Sequence, residues 1–236
     1  MTEYHKINTI WKRDDRGRVM PGDYAQEEFA YLKDNRWIGT EKFDGTNIRV
    51  IWDGTNVRFG GKTDAAQLPA KLVAYLQDTF VPAMFTTPLC LYGEGIGANI
   101  QKGGGNYSPD QRFVLFDVLV DGWWLKRDAI EDIATTLKVP VAPVIFEGTL
   151  SDAWERMSKP EPSSWGTANI EGLVLLPATP LRTRRGDRVI SKIKRVDWAR
   201  WEAQSNPTNW RRSRTNPNPN SGIRTTSTRP WWRSEP

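Results

Sequence analysis

The sequence predicts an α+β fold in which antiparallel sheets are flanked by helices, and two observations carry that reading. Strand-like runs occur in adjacent pairs joined by tight turns, and between the pairs lie stretches whose apolar residues recur at helical spacing. Residues 36–60 hold the first pair, with "NIRVIW" and "NVRFG" rich in β-branched and aromatic residues around a hairpin signal at Asp53-Gly54. "DAAQLPAKLVAYLQDTF" follows, with Leu68, Leu72, Tyr75 and Leu76 at helical spacing and Asp64 as its expected cap. "LCLYGEGIG" reads as a strand ending in glycines. A Gly-rich loop, "QKGGGNYSPDQ", leads to the near-continuous apolar strand "RFVLFDVLV", a turn at Asp121-Gly122 and the segment "WWLKR". "RDAIEDIATTLKV" predicts a helix, and "SDAWERMSK" a shorter one capped by Ser151. Finally, "IEGLVLLPA" and "DRVISKIKRVDW" form a second strand pair across the turn "RTRRGD", whose Arg-Gly-Asp is read as turn chemistry.

A chain of 236 residues can bury a substantial core. With 38% hydrophobic and 26% charged residues, and no apolar run near the length of a membrane helix, it reads as a soluble protein without a membrane role. "MTEYHKINTIWKRDD" lacks the order of a signal peptide, so the expected location is the cytoplasm. Cys90 is the one cysteine and His5 the one histidine. Intrachain disulfides, Cys/His zinc sites and catalysis by a histidine base are thereby excluded, and His5 is expected at the surface near a flexible N-terminus. Chemistry must rest on Lys, Arg, Asp and Glu, with a bound metal as the other resource, and that set favours phosphate.

The net charge of +5 is unevenly placed. Residues 203–236 hold six arginines and one glutamate, and the body is balanced. This tail, rich in Pro, Asn, Ser, Thr and Arg, reads as largely irregular. Trp210, Trp231 and Trp232 interleave with its arginines, a composition that suits stacking on bases and contact with phosphates; a solubilising or docking tail is the other reading.

"GGKT" at 60–63 sits between a strand and a helix as a phosphate loop should, but a Walker loop needs glycine where Asn56 stands. "EKFDGTN" is more informative. Lys42-Phe43-Asp44-Gly45 is followed in order by Tyr92-Gly93-Glu94, Phe116-Asp117-Val118, Glu171-Gly172-Leu173-Val174 and Lys192-Ile193-Lys194. Alone, Lys42 would read as a solvated lysine at a strand end. Glu94 and Glu171 are harder to explain as structure, because a carboxylate beside glycine in a strand-like run is costly to bury unpartnered.

Taken together, these stretches resemble the collinear motifs of the covalent nucleotidyltransferases, the superfamily of ATP-dependent DNA ligases, RNA ligases and capping enzymes. The resemblance runs from about residue 38 to 196. "EKFDGTN" looks most like the RNA ligase 2 type, and Asn47, where DNA ligases and capping enzymes usually carry arginine, tilts the substrate toward RNA.

The resemblance implies a nucleotidyltransferase domain, ATP-grasp-like, over residues 1–202. It implies ATP as cofactor with Mg²⁺ or Mn²⁺, and a polynucleotide ligase that joins RNA or nicked-duplex ends bearing 3′-OH and 5′-phosphate. Lys42 would be the nucleophile that takes AMP. Because an ammonium has no lone pair, the nucleophile must shed a proton, which burial beside other cations favours. Lys192 and Lys194 would share one face of a strand and hold the α-phosphate. Glu171 would bind the metal or order its waters, and Asp44 would support lysine and metal electrostatically. Arg58 and Glu94 would contact the ribose, Phe116 would stack on adenine, and Glu41 would lie near the base edge. For Phe116 a plain core role stays open, and for Arg58 a cross-strand ion pair.

The chain departs from larger ligases in one respect. Only 42 residues follow Lys194, too few for a separate OB domain. A minimal monomeric ligase, aided by its tail or by a partner, is the expectation, and its small size points to a phage or a bacterial repair system. The rivals are a DNA nick ligase, a capping-type guanylyltransferase charged by GTP, and a nucleic-acid-binding protein with an inactive site.

Overall fold

A computed structural model of the protein describes residues 3–205; the tail residues Trp210, Trp231 and Trp232 lie outside the described residues. Residues Met1–Trp201 form one compact unit, and of the second, Glu202–Pro236, only the first four residues are described. The strands are β1 (Asn8–Thr9), β2 (Trp11–Arg13), β3 (Val19–Tyr24), β4 (Trp37–Lys42), β5 (Thr46–Trp52), β6 (Val57–Gly60), β7 (Leu89–Ile96), β8 (Arg112–Val120), β9 (Trp123–Trp124), β10 (Val144–Gly148), β11 (Gly172–Pro177) and β12 (Ser191–Lys194). The helices are α1 (Glu27–Tyr31), α2 (Ala70–Thr79), α3 (Arg127–Leu137), α4 (Leu150–Arg156) and α5 (Arg195–Ser205).

Two five-stranded sheets organise the fold, one in the order β1-β12-β11-β4-β10 and the other β6-β5-β7-β8-β9; β2 and β3 pair separately. Neighbours are antiparallel except β1 with β12. The α+β reading with antiparallel sheets therefore stands. Each sheet packs one face against helices, and the second also buries Ile51, Cys90, Tyr92 and Leu119 on its other face. Behind the first, Trp37, Leu173, Leu175 and Ile193 pack with Phe29 of α1 and Leu150 and Trp154 of α4. Behind the second, Ile48, Val50, Leu91 and Phe113 pack with Leu72 and Leu76 of α2 and Ile130 and Ala134 of α3. Period-2 alternation on β4 follows from this, with Trp37, Gly39 and Glu41 buried and Ile38, Thr40 and Lys42 half-buried.

The two sheets meet where β4 passes into β5, and the crossing is Phe43-Asp44-Gly45. A second tie joins them farther along. Asp117 on β8, 3% exposed, accepts from Tyr4 Oη at 2.9 Å and from the Arg188 guanidinium at 2.5 Å, and Arg188 belongs to the segment that leads into β12.

Four expectations change in detail. The first predicted helix, observed as α2, starts at Ala70, not near Asp64, because Pro69 fixes the entry to its first turn; Asp64 instead pairs with Arg49. The cap of α4 is Thr149, not Ser151: the Thr149 side chain accepts from the Asp152 amide while the Asp152 carboxylate accepts from the Thr149 amide, a reciprocal capping box. His5 is half-buried rather than an exposed surface residue. Its ring packs on Tyr4 and Trp124, and burial pulls its pKa down to about 4. The strand expected over "DRVISKIKRVDW" is confined to Ser191–Lys194, and Arg195 to Trp198 form the start of α5 instead. Strands β1, β2, β3 and β10 and helix α1 were not anticipated. Among the described residues no helix is long and apolar enough to cross a membrane.

Candidate active site

Register brings three lysines onto one face of the first sheet. Gly172 on β11 lies opposite Lys42 on β4 and opposite Lys194 on β12, and one step along, Val174 lies opposite Thr40 and Lys192. Residues directly across an antiparallel ladder share a face, so Lys42, Lys192 and Lys194 point the same way, at the sheet's crossing into β5. Gly172 is required for this row. A Cβ there would stand 1.9 Å from the Ile193 carbonyl oxygen, so β12 closes onto β11 only over glycine.

Glu171, immediately before that glycine, bridges two of the lysines. Its Oε2 takes the Lys42 ammonium and its Oε1 the Lys194 ammonium, the latter at 2.5 Å. The Lys42 side chain is 20% exposed and that of Glu171 14%, so the pair is screened less than a surface pair yet still open to a ligand. Among the described residues Lys192 forms no ion pair, and burial together with the charges of Lys42, Lys194 and Lys62 holds its pKa below the ordinary lysine value against the pull of Glu171.

The second sheet supplies carboxylates from the other side. Glu94 on β7 accepts a hydrogen bond from the Gly45 amide and lies within the fields of Lys42, Glu171 and Asp44; burial pushes its pKa up to about 7. Gly45 is again a steric necessity, since a Cβ would sit 2.2 Å from the Gly95 carbonyl oxygen and 2.8 Å from Glu94 Cγ. Beside Glu94 in the ladder is Asn47, whose Oδ1 is buried without a hydrogen-bond partner. The Gly-rich loop holds the crossing in place: Gln101 Nε2 donates to the Gly45 carbonyl at 3.1 Å, and Tyr107 Oη accepts from the Asp44 amide at 3.3 Å. Asp44 itself is exposed, and with Glu171, Lys102, Asn106, Tyr107 and Asn169 it lines an open cleft.

The remaining predicted residues fall in different places. Phe116 is half-buried and meets Tyr4 edge-on, 5.1 Å between ring centroids, within a strand otherwise buried around it. Glu41 points away from the lysine row. It is 2% exposed, and its carboxylate accepts from Ser163 Oγ at 2.5 Å and from Ser164 N and Oγ at 3.0 and 2.5 Å. Arg58 is not brought to the site. It lies opposite Ile51 on β5, five residues from Thr46 and so roughly 16 Å along the strand, and its exposed guanidinium pairs with Asp53 at 3.4 Å. The cross-strand ion-pair reading is the one the structure contains.

Sequence reasoning gave Lys62 no role. It belongs to the "GGKT" stretch set aside for failing the Walker spacing, yet its charge reaches Lys192. Its loop is held by Arg49, which is 0% exposed, donates from Nε to the Gly61 carbonyl at 2.8 Å and pairs with Asp64 at 2.6 Å. The available signal was a cation in the loop that directly follows the hairpin β5–β6.

Among the described residues no group of three or more His, Cys, Asp or Glu could by itself hold a metal ion. The site offers instead a cluster of cations, one carboxylate between two of them and two more at its edge, a set suited to polyphosphate accompanied by a metal.

Comparison with curated protein sequences finds no match. Solved structures of Naegleria gruberi RNA ligase share the fold. A variant of that enzyme with ATP and Mn is 18% identical, with a TM-score of 0.59 over 74% of this chain and 53% of that one. A second variant with ATP and Mn gives 18% identity and a TM-score of 0.60 over 84% and 62%. The enzyme with PPi gives 18% and 0.54 over 85% and 64%. The chain thus spans between half and two-thirds of the length of these structures. The family model for RNA ligase matches residues 35–194, from just before β4 to the last residue of β12 and so across every element of the site, and the chain belongs to the RNA ligase family.

Proposed function

We propose that the protein is an ATP-dependent ligase that joins RNA 3′-OH and 5′-phosphate ends through a lysyl-AMP intermediate on Lys42. The observation that carries this reading is the Lys42–Glu171–Lys194 bridge on a sheet face shared with Lys192. The Naegleria structures hold ATP and Mn, AMP and Mn, or PPi, which supports the same ligands here.

In the first step the Lys42 amine, having given up its proton, attacks the α-phosphorus of ATP; the P–N bond forms and the P–O bond to pyrophosphate breaks. In the second, a 5′-phosphate oxygen of the nucleic acid attacks that phosphorus, the P–N bond breaks and Lys42 is regenerated. In the third, the 3′-OH attacks the activated 5′-phosphate, a phosphodiester forms and AMP leaves. Lys192 and Lys194, on one face with the nucleophile, neutralise the charge that spreads over the phosphoryl oxygens. Lys62, from its loop, adds to that field on the side of Lys192. Glu94 and Asn47 offer acceptors for ribose hydroxyls, and Phe116 a face for the base. Glu41, satisfied by Ser163 and Ser164, fixes the end of β4 and thereby the place of Lys42.

Mg²⁺ or Mn²⁺ would fit this donor set together with a nucleotide: Glu171 would hold it, with Asp44 and Glu94 nearby. When bound, such an ion supplies Lewis-acid polarisation of the phosphate and an alternative partner for the carboxylate that otherwise holds Lys42. The six arginines and three tryptophans of residues 203–236 are assigned to nucleic-acid binding.

The test is to incubate the protein with α-labelled ATP and a divalent ion, denature it, and look for covalent label beside a Lys42→Ala control. Label on the wild type alone, removed by added pyrophosphate, is the expected result. Charging by GTP in place of ATP would favour a capping-type reaction, and no labelling with either nucleotide would overturn the proposal.

A further inference from the structure

The hairpin read from sequence as mere turn chemistry carries more than a turn. Arg182 and Arg188 face each other as an isolated antiparallel bridge, closed by Thr183 and Asp187 with Gly186 at a φ of 88°. This turn places Arg182, Arg184 and Arg185 on the surface, and among the described residues none of the three pairs with an acid. The Arg182 guanidinium lies 6.0 Å from the ring centroid of Trp123, which is 69% exposed at the tip of the β8–β9 hairpin. An indole that exposed stabilises no core, and the guanidinium beside it, which donates from Nη1 to the Gly186 carbonyl at 2.8 Å and pairs with no acid among the described residues, makes the surroundings cationic rather than the apolar ones of a protein-docking patch.

The patch is continuous with the site. Next to Trp123 is Trp124, over whose ring Arg188 sits at 4.5 Å, and Arg188 pairs with Asp117, the neighbour of Phe116. Four residues after Arg188 comes Lys192, at most about 13 Å farther along an extended chain.

We propose that Trp123 with Arg182, Arg184 and Arg185 forms an accessory docking surface for single-stranded RNA flanking the end to be joined; the assignment of that strand as substrate rests on the ligase reading above. The arginines match successive phosphates, and the indole offers a stacking plane that any unpaired base can use. A duplex hides its base faces, so the surface favours a single strand.

The experiment uses the full chain and fluorescence anisotropy of a labelled single-stranded oligouridine over a salt series. A variant with Arg182→Ala, Arg184→Ala and Arg185→Ala should bind roughly tenfold more weakly, with a log–log salt slope flatter by about two. Trp123→Ala should weaken binding roughly fivefold or more, and Trp123→Tyr should restore most of it. Photocrosslinking of 4-thiouridine RNA should mark the peptide that carries Trp123. All variants should take covalent AMP at the wild-type rate, because none of these residues touches the lysine row. Oligouridine binding with unchanged affinity and slope in both variants would overturn the proposal. So would a loss confined to anionic phospholipid vesicles, which would make the patch a membrane-surface contact. If the wild type takes no AMP, the ligase reading falls, while the anisotropy series still decides whether the surface binds RNA.

Discussion

Glu171 and Lys42 form an ion pair across the β4–β11 junction, and the same carboxylate holds Lys194 through its other oxygen. A nucleophile kept in an ion pair is positioned but not free to attack. On the ligase reading proposed above, the pair would open when a nucleotide binds, with Glu171 both the anchor of Lys42 and the group that releases it. Glu171→Gln keeps the shape and removes the charge. Single-turnover transfer of AMP to Lys42 should then fall on the order of 100-fold or more, since the cations lose their shared counter-charge and the divalent ion its carboxylate. Labelling kinetics check the loss, and a thermal melt that still shows one cooperative transition separates it from unfolding.

Glu94 gives a pH signature. Its pKa is raised from 4.5 to about 7 by burial, so the protonated form is favoured in the folded state. A raised pKa contributes stability that is complete below the unfolded value and is lost as pH climbs through the folded one. Between pH 4.5 and 7 the wild type should therefore lose stability from this group, on the order of 1–3 kcal/mol. Glu94→Gln should abolish that slope and be the more stable protein at pH 8. Urea denaturation at several pH values measures both; a wild-type slope that persists in the variant would assign it to other groups.

The glycine of each motif should be indispensable for steric reasons. Gly172→Ala forces β12 away from β11 and so separates Lys194 from Lys42, while Gly45→Ala pushes the crossing off Gly95. Each should cost about 2–4 kcal/mol and most of the labelling. Gly105→Ala, whose added carbon would meet nothing closer than 3.9 Å, should be tolerated. Melting temperatures of the three variants decide it.

How far the sequence reached follows from which interactions are local. Hairpins announced themselves through Asp53-Gly54 and Asp121-Gly122, with φ of 96° at Gly54 and of 48° and 81° at Asp121 and Gly122. The core face of α2 was open to helical-period reasoning, as at Leu72 and Leu76. Strand β10 was not, because "VIFEG" after Pro143 is too short to signal by itself and is fixed only by pairing with β4. The same distinction runs through the site. Lys42, Glu171, Lys192 and Lys194 were legible because motif order and strand alternation survive in one dimension. Asp117 with Arg188, 71 residues apart, and Glu41 with Ser163, 122 apart, leave no local trace.

Lys62 and Arg58 separate the two kinds of inference most sharply. Both are cations of the segment after β5, and sequence reasoning chose Arg58 for the nucleotide. The fold puts Arg58 opposite Ile51, paired with Asp53, and puts Lys62 in a loop clamped by buried Arg49 and close enough to act on Lys192. On the ligase reading a phosphate-directed cation must act on the lysine row, and the charge of Lys62 is among those that lower the Lys192 pKa. Lys62→Ala should lower the rate of AMP transfer on the order of tenfold to 100-fold with the melting temperature unchanged, because an exposed lysine contributes little to stability. Arg58→Ala should leave the rate within about twofold, since a solvent-exposed ion pair is worth little. Arg49→Ala should do what Lys62→Ala does and also destabilise the fold by about 2–4 kcal/mol, because Asp64 and the Gly61 carbonyl lose a buried partner. Labelling rates and melts on the three variants test the assignment together: equal rates for Lys62→Ala and the wild type would remove Lys62 from the site, and a slow Arg58→Ala would return the nucleotide to the far end of β6.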